Sequence, residues 1–306
     1  MERLDYKTLL DAQVHFGHLR RKWNPKMLPY IFGEKKGIHI IDLNRTAEKL
    51  EEAAQAAKAI ARSGRKILFV ATKKQAKEVV KDAAKRVGMP FVTERWLGGM
   101  LTNFTTIRKS IKKMQTIEKM LGDGTLESVT KKEKLVLSRE KEKMEKVLGG
   151  VSAMNRVPAA LFLVDVMHEN IALKEAQRLN INTIAIVDTN SDPTKVDFPV
   201  PGNDDAAISI STLTNYIADA IAEGLAERVA SQEGETETEE EIAERNRYEA
   251  ELAGGEEDGD KGKKKEGGGF RKRTPGGGGG QGRSRVKTGG GGGGFGGGGF
   301  GGGPKK

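Results

Sequence analysis

Cysteine is missing from all 306 residues, and its absence excludes disulfide staples, thiolate zinc sites, iron–sulfur clusters and thiol nucleophiles together. The core must hold by packing alone. Long apolar runs are missing too: hydrophobic residues make up 36% of the chain, and no stretch reaches the roughly 18 residues of a membrane span. The first residues, MERLDYKTLLDAQVHFG, are polar where a secretory signal would be apolar. These absences predict a cytoplasmic protein with no membrane partner. Phosphate loops are also absent. Neither GxGxxG nor GxxxxGK[ST] occurs in the part that reads as folded, and the turn after KILFV is ATKKQAKE, with no glycine to admit a pyrophosphate. No GxSxG elbow or Ser, His and Asp set stands in a catalytic context. An enzyme of nucleotide or phosphosugar metabolism is therefore the minor alternative, and no cofactor, metal or small-molecule substrate is expected.

What is present is segregated charge. Residues 1–150 hold 33 basic against 18 acidic residues, a net +15, whereas 151–230 hold 5 against 11, a net −6. Residues 231–260 carry 2 against 13, a net −11, and 261–306 carry 12 against 1, a net +11. A basic half of this size is the footprint of a phosphate-backbone partner, with solvated surface as the bland alternative.

GIHIIDL (37–43), KILFVAT (66–72), AALFLVDV (159–166) and NTIAIVDT (182–189) are short apolar runs of the kind found in buried parallel strands. Between them lie helical patterns, the first with Asn44 as expected N-cap and Gly64 as stop, the second closed by Gly88. Strand alternating with helix predicts an α/β fold, a parallel sheet flanked by helices (doubly wound, flavodoxin-like). The alternation breaks at 105–148. There Ile107, Ile111, Met114, Ile117 and Leu121 form one narrow stripe, and after GDG, Leu126, Val129, Leu137, Met144 and Val147 form another. This predicts an inserted antiparallel helical hairpin between two parts of the α/β domain, 1–104 and 149–230. An acidic linker over 231–260, partly helical around Ile242 to Leu252, and a basic, glycine-rich, disordered tail over 261–306 follow. That tail is either inert or a weak RNA-binding segment with Phe270, Phe295 and Phe300 spaced along it.

Candidate RNA contacts fall in two stretches. In HLRRKWNPK, Arg20, Arg21, Lys22, Trp23, Asn24 and Lys26 interleave donors with an aromatic plane, and Trp23 reads equally as a lid over Pro25 and Pro29. In RWLGGMLTNFTTIRKSIKK, Arg95, Asn103, Arg108, Lys109, Lys112 and Lys113 are the candidates. Gly98 and Gly99 are the hinge, and Thr102 or Asn103 the N-cap of the hairpin's first helix. His15 and His18 sit at a spacing that could ligate zinc, but without a third spaced ligand they read as structural. Asp188, Asp192, Asp197, Asp204 and Asp205 read as an ordered loop with caps before a metal site, with Asn203 or Asp204 capping the next helix.

Three long segments, HFGHLRRKWNPKMLPYIFGEKKGIHIIDL, RWLGGMLTNFTTI and IVDTNSDPTKVDFPVPGNDDA, in that order, closely resemble small-subunit ribosomal protein two of the bacterial type. The match spans about residues 5–228 and leaves the tail outside. The resemblance implies a non-catalytic, ribosome-bound protein on the solvent side of the small subunit, between head and body. It further implies binding to small-subunit ribosomal RNA, late assembly, and neighbouring ribosomal proteins including ribosomal protein one, which it helps to dock.

Overall fold

KILFV, AALFLV and NTIAIV share one sheet, whereas GIHII belongs to another, in a computed structural model that describes residues 4–122 and 130–253. The chain divides into two compact units, Met1–Glu249 and Ala250–Lys306, and the first holds both sheets. Asp123 and Gly124 of the expected hairpin turn, Leu126 and Val129 of its second stripe, and the expected basic tail from 261 lie outside the described residues.

Helix α1 (Tyr6–Asp11) leads into strand β1 (Phe16–Leu19), then β2 (Ile31–Lys35) and β3 (Ile38–Ile41). These strands form an antiparallel sheet in the order β1-β3-β2, so the GIHII run is not the parallel strand expected from its composition. The local reason is the turn at Lys36 and Gly37, both at positive φ (53° and 77°). Two consecutive residues there match the twist of a tight hairpin, which returns β3 antiparallel to β2. His39 and Ile41 point inward from β3 and its other residues are half-buried, the alternation of a strand with one covered face.

The second sheet holds β4 (Ile67–Val70), β5 (Phe91–Val92), β6 (Ala160–Val164), β7 (Asn182–Val187) and β8 (Phe198–Pro201), all parallel, in the order β5-β4-β6-β7-β8. By chain order this is the 2-1-3-4-5 arrangement of flavodoxin-like folds, with the order reversing between β4 and β6. Prolines 199 and 201 are tolerated because β8 is an edge strand. Alternate side chains of each central strand feed opposite cores. Ile67, Phe69, Phe162, Val164, Ile184 and Ile186 pack against α2 (Leu43–Arg62), α3 (Lys77–Arg86) and α7 (Ala207–Ala253). Leu68, Val70, Leu161, Leu163, Ala185 and Val187 pack against α6 (Asn170–Arg178) and the base of the helical insertion.

That insertion is α4 (Phe104–Gly122) followed by α5 (Lys131–Leu148). Its first helix is not wholly outside the body: Ile107 and Ile111 belong to the second core, and the buried stripe continues through Met114 and Ile117. Leu137, Met144 and Val147 of α5 are half-buried. The α5 start is fixed by a capping box in which Thr130 and Glu133 satisfy each other's backbone. Asp42, not Asn44, caps α2, its carboxylate accepting from the Asn44 N–H at 3.0 Å. Helix α7 continues through Ala253, across much of the stretch read as an acidic linker; the glutamates, alanines and arginines there are helix formers with no proline among them.

Candidate nucleic-acid interface

The segment RWLGGMLTNF between β5 and α4 wraps around a single carboxylate. Glu175 of α6 is 8% exposed. Its Oε1 accepts from Trp96 Nε1 at 3.1 Å and from the Gly99 N–H at 2.7 Å. Its Oε2 accepts from the N–H groups of Leu101 and Thr102 at 3.0 and 3.1 Å and from the Thr102 hydroxyl at 3.2 Å. Burial alone would push the Glu175 carboxyl up, but the donors of Gly99, Leu101, Trp96 and Thr102 outweigh it and hold the group below its ordinary value. Gly99 sits at φ 87°, where a side chain is strained, and a Cβ there would stand 3.3 Å from that of Asn103. Gly98 shows neither constraint. Asn103 occupies the N-cap position, its backbone carbonyl accepting from Ile107 N–H at 3.4 Å and its Oδ1 from the Thr106 hydroxyl at 2.9 Å.

The candidate cations separate by partner. Lys26 is committed to the body, its ammonium 2.7 Å from Asp192 and 3.2 Å from the Thr194 hydroxyl. Burial raises the Asp192 carboxyl, yet Lys26 and the Thr194 donors bring it down to about 2. Lys113 pairs with Glu140 across the helical hairpin, as Lys141 does with Glu118 at 2.9 Å. Arg20 lies 3.2 Å from Glu34, and Arg108 donates to the Asn155 carbonyl at 3.5 Å. Asn24 accepts from the Lys26 N–H and caps the short 3-10 helix Pro25–Tyr30. Trp23 is half-buried, its ring centroid 5.1 Å from that of His39. Arg21, Lys22, Arg95, Lys109 and Lys112 are exposed and hold no salt bridge among the described residues.

A second constellation sits beyond the carboxyl ends of the parallel strands, at the reversal between β4 and β6. Lys73, in the turn after β4, lies 2.9 Å from Asp204, 2.5 Å from Asp205 and 3.4 Å from Asp165. Burial alone would lower the Lys73 ammonium; the three carboxylates overcome it and raise the group. Glu169 accepts from the Thr72 N–H and hydroxyl at 2.7 and 2.6 Å. His18 Nδ1 stands 2.9 Å from Asp188, and this hydrogen bond raises the imidazole against its burial. Gly17 permits the approach of β1 to this loop, since a Cβ there would meet the Thr189 side chain at 2.6 Å. Asp204 is fully buried and is pushed up to about 7 by burial and by the charges of Asp188 and Asp165.

Ligand atoms of His18, Asp188 and Asp204 all lie within 4.8 Å of one another, an arrangement able to hold a divalent cation. His18 therefore works with the aspartate loop rather than with His15. Of the other aspartates, Asp192 caps the 3-10 turn at Pro193, and Asp197 accepts from the Thr183 N–H and hydroxyl at 2.8 and 2.9 Å. Asn203 accepts from the N–H groups of Asp205 and Ala206 at the start of α7.

A profile of the Ribosomal protein S2 family matches residues 9–224. The chain belongs to that family. Curated relatives agree. The small ribosomal subunit protein uS2 of Cytophaga hutchinsonii is 66% identical over 220 residues, covering 72% of this chain and 87% of that protein. Its counterpart in Azobacteroides pseudotrichonymphae is 59% identical over 221 residues, 72% and 84% of the two chains. That of Bacteroides thetaiotaomicron is 59% identical over 213 residues, 70% and 77% of the two. This S2-family chain is thus a ribosomal structural protein and not an enzyme, which removes the nucleotide- or phosphosugar-enzyme alternative. No described helix is long and apolar enough to cross a membrane.

Two residues of this S2-family chain that organise the surface escaped sequence reasoning. Glu175 carried a signal, because it shares a helical face with Ala172, Leu173 and Ala176, all buried, and a charge at such a position demands donors. Lys73 carried little, because its partners come from loops more than 90 residues away in sequence.

Proposed function

We propose that the chain binds small-subunit ribosomal RNA, with Arg21 and Lys22 on one side and Arg95, Arg108, Lys109 and Lys112 around the hairpin on the other. The observation that carries this is the sorting of the cations: Lys26 and Lys113 are held by carboxylates, while Lys109 and Lys112 on α4 stand exposed without a salt bridge among the described residues. An exposed ammonium without a partner is the group that phosphates neutralise, with release of counterions. Assembly into the small subunit is what the names of the relatives describe for those proteins. Docking of ribosomal protein one is the finer part of the proposal. It is supported by apolar side chains left open beside the antiparallel sheet, Phe32 on edge strand β2 at 78% exposure and Leu28 at 64%.

The test is occupancy in purified small subunits. Arg108→Glu, Lys109→Glu and Lys112→Glu together should lower occupancy and flatten the salt dependence of ribosomal RNA binding, with the far-ultraviolet circular dichroism unchanged. Unchanged occupancy and an unchanged salt slope would remove the hairpin from the interface. Phe32→Ala should lower retention of ribosomal protein one on subunits that contain the variant, and equal retention would remove that surface.

A further inference from the structure

The opposite end of the parallel sheet carries a cavity that neither the switch-point cluster nor the cation faces account for. It measures about 520 Å³ and lies at the amino ends of three strands, entered between Lys66 before β4, Pro90 before β5 and Ala159 before β6. That volume falls in the range of small-ligand sites, roughly 300–1,000 Å³. Flavodoxin-like sheets place their ligands at the carboxyl ends, so the cavity is not an inherited feature of the fold.

Its lining has two characters. Met89, Pro90, Met154 and Val157 supply apolar surface, Met89 from the first core and Met154 from the second. Arg65, Lys66 and Arg156 supply exposed cations, and no carboxylate is among the lining residues. Lys66 is held in place, its ammonium donating to the Gly88 carbonyl at 2.9 Å, which leaves two further donors. Gly150 closes the wall against β5 so tightly that a Cβ would meet the Phe91 carbonyl oxygen at 2.2 Å.

We propose that this cavity receives one unstacked nucleotide of RNA, its base against Met89, Pro90 and Met154 and its phosphates on Arg65, Lys66 and Arg156. The proposal rests on the RNA-binding reading above. Charge complementarity selects the ligand class, because an apolar floor with a cationic rim and no anion suits a planar group that carries phosphate. Polarizable methionine sulfur favours an aromatic plane, and guanidinium forks favour phosphate oxygens. Duplex RNA is excluded by geometry, since its bases are stacked inside, whereas single-stranded segments can splay one out. Asn155, also in the lining, offers an amide able to read a base edge. One contact links the cavity to the hairpin: Arg108 of α4 donates to the carbonyl of Asn155, a lining residue, at 3.5 Å.

The experiment uses the full chain carrying ¹³C-methyl methionine, titrated with a mixed-sequence single-stranded hexaribonucleotide, with the same sequence in a duplex, and with an acidic peptide containing phenylalanine. The single strand should shift the Met89 and Met154 methyl resonances saturably, and the duplex should not. Val157→Trp, which fills the mouth from an exposed position, should abolish those shifts and weaken single-strand binding roughly fivefold or more, the scale of one stacked base. Arg156→Glu, at an exposed rim position, should weaken it as well and guards against a folding defect in the first variant. RNA binding that leaves both methyls unmoved, with both variants at full affinity, overturns the cavity assignment while the hairpin reading stands. Methyl shifts with the peptide but not with RNA assign the cavity to a protein partner and overturn it too. No RNA binding by the chain at all overturns both readings.

Discussion

The α/β body and the helical hairpin use charge in opposite ways. In the body, Lys73, Asp165, Asp204 and Asp205 converge beyond the strand ends, Lys26 is held by Asp192, and Glu175 is saturated by five donors from one loop. In the hairpin, the ion pairs Lys113–Glu140 and Lys141–Glu118 bridge the outer faces of the two helices, and Lys109 and Lys112 face solvent. The difference teaches where each kind of charge acts. Pairings made to a buried carboxylate, as at Asp192, Asp204 and Glu175, fix geometry because breaking them strands a desolvated group; exposed cations without such a partner contribute little to stability and remain available to a partner. Glu175 joins the two regions, since it belongs to α6 of the body and holds the loop from which α4 departs.

The comparison breaks most decisively at Glu175. Glu175→Gln leaves several donors of the 96–102 loop mismatched and should cost about 3 kcal/mol, a fall in Tm of roughly 6–12 °C in calorimetry for a domain of this size. Amide exchange through the first turns of α4 should accelerate at the same time. The pH dependence has a defined sign. Because the folded Glu175 carboxyl lies below its ordinary value, its stabilisation is complete above the pKa of an unfolded Glu, about 4.3, and is lost as pH falls through the lower folded value. Urea midpoints followed down that limb should fall less steeply in Glu175→Gln than in the parent chain. A parallel fall would mean that Glu175 is not the linked group.

Next comes the backbone at the same loop. Gly99→Ala should cost about 1–2 kcal/mol, because an alanine must adopt positive φ there. Gly98→Ala should stay within about 0.5 kcal/mol, having open space around its Cβ. Equal costs at the two glycines would show that the loop relaxes rather than holds. On the hairpin the effect moves from stability to binding. Lys109→Glu with Lys112→Glu should weaken RNA affinity roughly tenfold at low salt, about 1.4 kcal/mol, while the urea midpoint stays put. A matching loss of stability would place these lysines in the body's class. Smallest of all is the Lys113–Glu140 pair, for which a double-mutant cycle should return no more than about 0.5 kcal/mol.

Residue by residue, legibility followed the range of the forces. KILFV, AALFLV and NTIAIV were readable as parallel strands because a strand covered on both faces is apolar at every position. The Gly64 and Gly88 stops were readable because positive φ after a helix needs glycine. GIHII misled, because its company in the sheet is decided by the turn before it, and a Lys-Gly turn is a weaker sign than Asn-Gly. The cation list was readable as a list, but its division into paired and exposed members was not. Lys26 lies 166 residues from Asp192, and spacing carries no trace of that meeting.

By itself, then, the amino-acid sequence determined the alternation of strand and helix, the hairpin inserted into it, the segregation of basic and acidic halves and the family. Each of these rests on local periodicity, on composition or on long contiguous motifs. The tertiary structure decided which cations stay open, that Glu175 anchors the hairpin's base, that His18 joins Asp188 and Asp204 at the sheet's reversal, and that a cationic cavity opens at the other end. These depend on groups from distant loops meeting in a low-dielectric interior, where burial and hydrogen-bond geometry set the energy and sequence separation does not.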